Sequence, residues 1–295
     1  MSSIQGQPAT VSPRPASGVS ARAGAGGLVD RVLGPWRAIA SQRGLIWRLA
    51  RREVEARYRG SVLGMGWAVL TPLVMLGVYT LVFAGVLRAR WGEDSGTGAF
   101  AARLFLGLIV FQVLARMLIE SPALLRQHRS FVTKMVFPVE VLVPVRMCSA
   151  LFDAGAAFVV FLLLGWALAG PPSWTVVFVP LSAVPLVLMG LGAGWLLCAL
   201  GAYLTDLAPV AATVATILMF MSAVFYPIGI VPEAWRWVIA WNPVAATIDT
   251  ARGLAFTPAS FDPVRFAVLL GVGLVCAWGG LAVFRRLREG FGDVV

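Results

Sequence analysis

The side chains able to do chemistry are few in this sequence, and their spacing argues against catalysis. His128 is the single histidine; it has no plausible serine or cysteine partner nearby, and no H-E-x-x-H pattern occurs. Cys148, Cys198 and Cys276 fall inside apolar runs and far apart, so they suggest neither a disulfide framework nor a metal cluster, and no metal site is expected. Lys134, the single lysine, follows Thr133 rather than a glycine loop, and no stretch matches G-x-x-x-x-G-K-[ST]. The chain therefore has no backbone cradle for nucleotide phosphates of its own, and any ATP has to be bound by another subunit. Acidic residues are scattered. Asp153 lies well inside an apolar run and needs a partner, and Arg146, two turns earlier, is on a similar helical face. A structural lock and a proton relay are both open to Asp153. Asp206 stands at the turn before another run. The expectation is a protein that is not an enzyme.

Two segments carry patterns suited to surfaces rather than reactions. From Ser121 to Met135, Ser121 suits an N-cap and Pro122 the first helical position, while Leu124, His128, Phe131 and Met135 fall at i, i+4, i+7 and i+11 on one face. That pattern predicts a short amphipathic helix between two apolar runs. Its Arg126, Arg129 and Lys134 either touch lipid headgroups or dock the helix into a cleft of a cytoplasmic partner. The second segment runs from Phe225-Tyr226-Pro227 through Pro232 and Trp235-Arg236-Trp237 to Trp241-Asn242-Pro243. It is too apolar for an ordinary loop and predicts two short re-entrant helices at the outer face. Glu233 with Arg236 and Asp249 with Arg252 form i,i+3 pairs that lower the cost of charge near lipid. Trp235, Trp237 and Trp241 suit an interfacial aromatic belt or an outer gate over an exit.

The elements that must position these groups follow from composition. With 59% hydrophobic and 13% charged residues among 295, and a mean hydropathy of +0.84, the chain is too apolar to cover a soluble surface. Its apolar runs place the membrane spans at about 61–87, 99–118, 141–169, 174–203, 207–230 and 264–284. The first contains Thr71-Pro72, where a bend is expected, and Arg103 and Arg116 lie near the ends of the second, within snorkelling reach of headgroups. Upstream, residues 44–59 place Ile46, Trp47, Ala50, Val54 and Tyr58 on one helical face and Arg48, Arg51, Arg52, Glu55 and Arg59 opposite. This is an interfacial helix or an amphipathic helix packed on protein. Residues 1–43, rich in Ala, Gly, Ser, Pro and Arg and without the apolar core of a cleaved signal peptide, form a flexible cytoplasmic tail; the transmembrane domain covers 44–295.

The formal net charge of +10 does not indicate nucleic acid, because ten of the 24 basic residues precede residue 60, ahead of the first apolar run. That is the asymmetry of a cytoplasmic end. An even number of spans returns the C-terminus, with Arg285, Arg286 and Arg288, to the same side. The inner loop 121–140 is basic against Glu140 alone, while the outer loop 88–98 balances Arg88 and Arg90 against Glu93 and Asp94. No internal repeat places two halves of a transporter in one chain, so a homodimer is the natural way to enclose a pathway.

The stretch Arg57-Tyr58-Arg59-Gly60-Ser61-Val62-Leu63-Gly64, continuing through Trp67 and Thr71-Pro72 to Tyr79, Val82 and Phe83, resembles the entry into the first span of type-2 ABC export permeases. The match is closest to those exporting O-antigen, capsule or teichoic acid. Phe137-Pro138-Val139-Glu140, then Asp206-Leu207, Ser222 to Pro227, Val231-Pro232 and Asn242-Pro243, fit the same pattern in order. The tail 1–40, and Val224-Phe225 where a member often has a proline earlier, depart from it.

The resemblance implies an all-α integral membrane fold of six transmembrane helices that works as a homodimer in the bacterial inner membrane. Both termini are cytoplasmic, and a cytoplasmic ABC ATPase subunit dimer, which binds ATP and Mg, sits against a coupling helix at 121–136 (Arg126, His128, Arg129, Phe131, Lys134). It implies export of a lipid-linked polysaccharide, O-antigen first, along a channel of sugar-stacking aromatics. Trp67, Tyr79, Phe83, Phe220, Phe225 and Tyr226 are candidates for that wall and equally for helix packing. Export of small hydrophobic molecules and processing of lipid-linked sugars are the alternatives.

Overall fold

In hydrocarbon each backbone N–H and C=O has to be satisfied within its own segment, so long runs of Leu, Val, Ala and Phe fold as helices. A computed structural model describes residues 36–86, 96–128, 137–169, 173–257 and 261–291, and every regular element among them is helical. The chain divides into two units, Met1–Ala38 and Ile39–Val295. Residues 36–38 are the described part of the first, and everything below concerns the second. The predicted tail, up to residue 35, lies outside the described residues, as do 88–95 of the outer loop.

Helix α1, Arg43–Tyr58, packs on α5, Leu142–Ala169. Ala50 and Val54 are buried, while Trp47 remains exposed. After a tight turn through Gly64–Gly66, α2 runs from Trp67 to Tyr79 and passes into a π-helical stretch, Thr80–Val86. The assigned helix continues through Pro72, and its irregularity comes at Thr80 rather than at the proline.

Helix α3, Thr97–Glu120, is the spine. It touches α5, α7 (Val184–Tyr203), α8 (Leu207–Met221) and α10 (Pro243–Phe256). Sixteen of its 24 residues are buried. Its C-terminal end does not stop where a capped new helix was expected. Ser121 keeps a helical backbone, makes no capping hydrogen bond, and leads through the 3₁₀ turn Ser121–Ala123 into α4, Leu124–Gln127. The whole of Thr97–Gln127 is one rod of 31 residues, because a 3₁₀ turn tolerates the missing N–H of Pro122 without ending the helix. The rest of the predicted coupling helix, including Arg129, Phe131 and Lys134, lies outside the described residues.

Between α5 and α7, the 3₁₀ turn Trp174–Phe178 and α6, Val179–Ser182, complete the fourth run. The last helix, α11, Pro263–Leu287, is capped by the Asp262 carboxylate accepting from the Val264 and Arg265 amides. It lies along α7 over an extensive interface of small residues. A Cβ on Gly192 would collide with the Cys276 carbonyl, and one on Gly280 with the Gly192 carbonyl. Such backbone contact gives dispersion energy where no hydrophobic force separates helix from lipid.

Among the described residues five helices are long and apolar enough to cross a membrane: Gly64–Phe83, Thr97–Gln127, Val139–Trp166, Trp174–Tyr203 and Pro263–Gly290. The expected fifth span, 207–230, is instead α8, 15 residues long, or about 22 Å at 1.5 Å per residue. It ends because the chain turns at Ser222, with Ala223 at φ 52°. The segment that follows forms two short helices, α9 (Glu233–Ala240) and α10.

Candidate functional site

Polar side chains gather at the two ends of α3, and aromatic ones between α2 and α8. At the Glu120 end, three acids and three arginines from α1, α3 and α5 form one lattice. Asp153 accepts from Arg57, from Arg116 and, at 3.0 Å, from the Tyr58 hydroxyl. Glu120 accepts from Arg116 Nε at 3.3 Å and lies 3.0 Å from Arg146, which also meets Glu53 at 3.0 Å. Arg57 Nη2 donates to Ser149 at 2.8 Å. The expected Arg146 to Asp153 pairing is replaced, because Arg57 and Arg116 both donate to Oδ2 and the Tyr58 hydroxyl to Oδ1, and Arg146 turns to Glu53 and Glu120. Each acid in this part of the bundle thus faces at least one cation, which is how charge is tolerated beside lipid.

A cavity of about 400 Å³ opens beside this lattice. Its wall carries Arg57, Tyr58, Gln112 and Asp153 together with Trp67 and Tyr79. Charge-assisted donors and ring faces in one concave space can hold a hydroxyl-rich ligand, the rings taking C–H faces and the polar groups the hydroxyls.

Tyr79 continues into an aromatic cluster. Phe83 stacks on Phe225 at 4.9 Å between centroids and 9° between planes, with Tyr79 at 5.6 Å and Phe220 at 5.4 Å from the same ring. The Tyr226 hydroxyl donates to the Phe220 carbonyl at 2.7 Å. Five of the six candidate wall residues are therefore brought together and Trp67 stands apart in the cavity. Phe225 is 4% exposed and acts as packing within the single chain, whereas Phe220 is 54% exposed.

At the other end of α3, Arg252 of α10 is buried and donates to three carbonyls: Arg103 at 3.0 Å, Ala223 at 2.8 Å and Val224 at 2.6 Å. Its expected i,i+3 partner, Asp249, instead meets Arg265 of α11 at 2.9 Å, because the guanidinium is drawn to the carbonyls released where α8 breaks. Gly107 makes room, since a Cβ there would strike the Arg252 guanidinium. The Glu233 and Arg236 pair forms, at 4.0 Å. Trp235, Trp237 and Trp241 project outward, 64% to 84% exposed.

Of the expected coupling residues, Arg126 reaches the Thr205 carbonyl at 3.5 Å and His128 Nδ1 lies 3.0 Å from the Leu124 carbonyl, closing the last turn of α4. Glu140, just after this segment, meets Arg288 at 2.9 Å and Arg285 at 3.8 Å, while its carbonyl accepts from Trp195 at 3.0 Å. Sequence reasoning missed Glu53, Glu120 and the clasp role of Arg252. The signal for the first two was present: an acid at the edge of an apolar run requires a cation, and α1 supplies several.

The described helices and their internally paired charges define a multi-pass helical membrane protein with a polar and aromatic interior seam. Residues 44–256 match the family of ABC-2 type transporters, well over half of the chain, and the chain belongs to that family. It is 26% identical over 261 residues to the O-antigen export system permease protein RfbA of Myxococcus xanthus, covering 88% of this chain and 98% of that protein. A Klebsiella pneumoniae protein of the same name is 24% identical over 84% of this chain and 93% of its own length. The polysialic acid transport protein KpsM of Escherichia coli is 23% identical over 84% and 95%.

Proposed function

We propose that this chain is the permease subunit of an ATP-driven exporter of polysaccharide in the bacterial inner membrane. The observation that carries this is the alignment, across nearly the full length of each relative, with permeases named for O-antigen export and polysialic acid transport. The seam of Trp67, Tyr79, Phe83, Phe220 and Tyr226 beside the paired charges fits a hydroxyl-rich cargo, which cannot cross hydrocarbon without partners for its polar groups.

In this proposal residues 1–43 are a cytoplasmic tail and 44–295 the transmembrane domain. Six crossings keep both termini cytoplasmic, the short α8 making the fifth with the turn held by Arg252. Two copies share the conduit, closed outside by Trp235, Trp237 and Trp241. A cytoplasmic ATPase dimer carries ATP and Mg and engages the segment 121–136 through Arg126, His128, Arg129, Phe131 and Lys134. The cargo is lipid-linked, O-antigen first. The chain itself performs no catalysis.

The test is deletion of the chain in its host, with surface polysaccharide measured against lipid-linked polymer retained inside. Loss at the surface with accumulation inside, reversed by the wild-type chain, is expected. Unchanged surface polysaccharide overturns the proposal.

A further inference from the structure

At the α3 end held by Arg252 lies a second cavity, of about 540 Å³, within the range of about 300–1,000 Å³ occupied by small-ligand sites. Among the described residues four guanidinium groups line it, from Arg103, Arg236, Arg252 and Arg265, against the single lining carboxylate of Asp249. Two of the four are committed. Arg252 serves its three carbonyls, and Arg103 sits over the Phe256 ring at 5.4 Å. They still contribute positive potential in a half-enclosed, partly apolar space, where charge is poorly screened.

Arg236 and Arg265 keep further N–H groups to offer, although Arg265 Nη1 donates to Asp249 at 2.9 Å. Both are partly exposed, with side chains 44% and 35% accessible. Arg236 donates from Nη2 to the Val231 carbonyl at 3.2 Å and the Gly229 carbonyl at 3.4 Å, and its Nη1 lies 4.0 Å from Glu233. Its neighbours in α9, Trp235 and Trp237, are largely exposed, and amphipathic rings of this kind settle at the level of lipid headgroups. The cavity therefore combines surplus positive charge, planar forks suited to phosphate oxygens and a mouth edged by an aromatic-rich helix.

We propose that this cavity binds a phosphate group, carried by the headgroup of an anionic lipid, between Arg236 and Arg265. The site shares no lining residue with the cavity beside the Asp153 lattice, and it does not depend on which molecule is exported. A lipid held there fixes α9 and α10 against α3 and α11.

The test uses the full-length chain in detergent micelles and native mass spectrometry, titrating phosphatidylglycerol and phosphatidylcholine separately. Wild type should retain phosphatidylglycerol in preference to phosphatidylcholine. R236Q and R265Q should each weaken that binding about tenfold, the scale of one charge-assisted hydrogen bond. D249N, which removes the lining negative charge and releases Arg265, should tighten it several-fold and needs no loss of fold to be informative. Inorganic phosphate, added alone and as competitor, separates the sources. Arginine-dependent binding of phosphate that displaces the lipid assigns the site to the free anion, and lipid binding unaffected by phosphate assigns it to the headgroup. Equal retention of the two lipids by wild type, undiminished binding by the double arginine variant, or no tightening by D249N overturns the proposal.

Discussion

Arg252 shows what a single side chain contributes where a membrane helix is interrupted. The turn at Ser222 releases the Ala223 and Val224 carbonyls, and one planar guanidinium satisfies both while also donating to the Arg103 carbonyl of α3. Arg252→Met should therefore lower the melting temperature of the purified chain sharply, since each buried acceptor left unsatisfied costs about 1–3 kcal/mol. Arg252→Lys should fall between, because an ammonium group cannot span the three oxygens. Equal melting of all three proteins would refute the clasp. The Asp153 lattice makes a second prediction at this scale. Asp153→Ala leaves Arg57 and Arg116 facing each other and should destabilise by about 3 kcal/mol or more. Adding Arg116→Met should recover part of that loss, as read by thermal melting. The need of Asp153 for a partner was legible in the sequence. Its partners were not, because Arg57 and Arg116 come from segments 96 and 37 residues away and periodicity reports only neighbours on one helix.

Element by element, the apolar runs located the helices closely. The expected 141–169 and 174–203 correspond to helices Leu142–Ala169 and Trp174–Tyr203. The fifth run misled because apolar residues continue past the point where the backbone turns; Ser222 to Tyr226 is as greasy as a helix, and hydropathy is blind to φ. Ser121-Pro122 misled in the other direction, since a serine before a proline starts a helix only if the preceding residues leave helical space, and α3 does not. Glycine is where sequence and packing meet between α7 and α11. Gly192→Leu and Gly280→Leu should each separate these helices, because their Cβ positions are already occupied by backbone atoms. Lowered melting temperature and loss of monodisperse protein in detergent are the expected readouts. Gly279→Leu, at a position with open space, should be silent.

For the whole molecule, the family was legible because the motifs run in order along most of the chain, whereas the stoichiometry depends on surfaces that one copy leaves bare. Val69, Val74 and Val78 of α2 and Val210, Val214 and Ile217 of α8 are exposed. Cysteine pairs engineered on these faces should cross-link two copies in native membranes; cross-linking only between copies of unrelated faces would remove the shared conduit. The isolated full chain should show no specific nucleotide binding in a filter or calorimetric titration, since it has no phosphate loop. Specific binding would place part of the energy conversion in this subunit.

The helical run Thr97–Gln127 has a mechanical consequence. At 1.5 Å per residue it is about 46 Å long, roughly 16 Å more than the hydrocarbon it crosses. The surplus is a handle. Pivoting the rod by about 5° around one end sweeps the other through roughly 4 Å at this length, enough to slide the Arg103 carbonyl against the guanidinium that grips it. A tilt applied near Gln127 would thus arrive near Arg103 as leverage, through a rod whose irregular turn is Ser121–Ala123. Two glycines inserted after Ala123 should soften the beam, leaving the protein assembled and nucleotide turnover by the complex intact while export falls away.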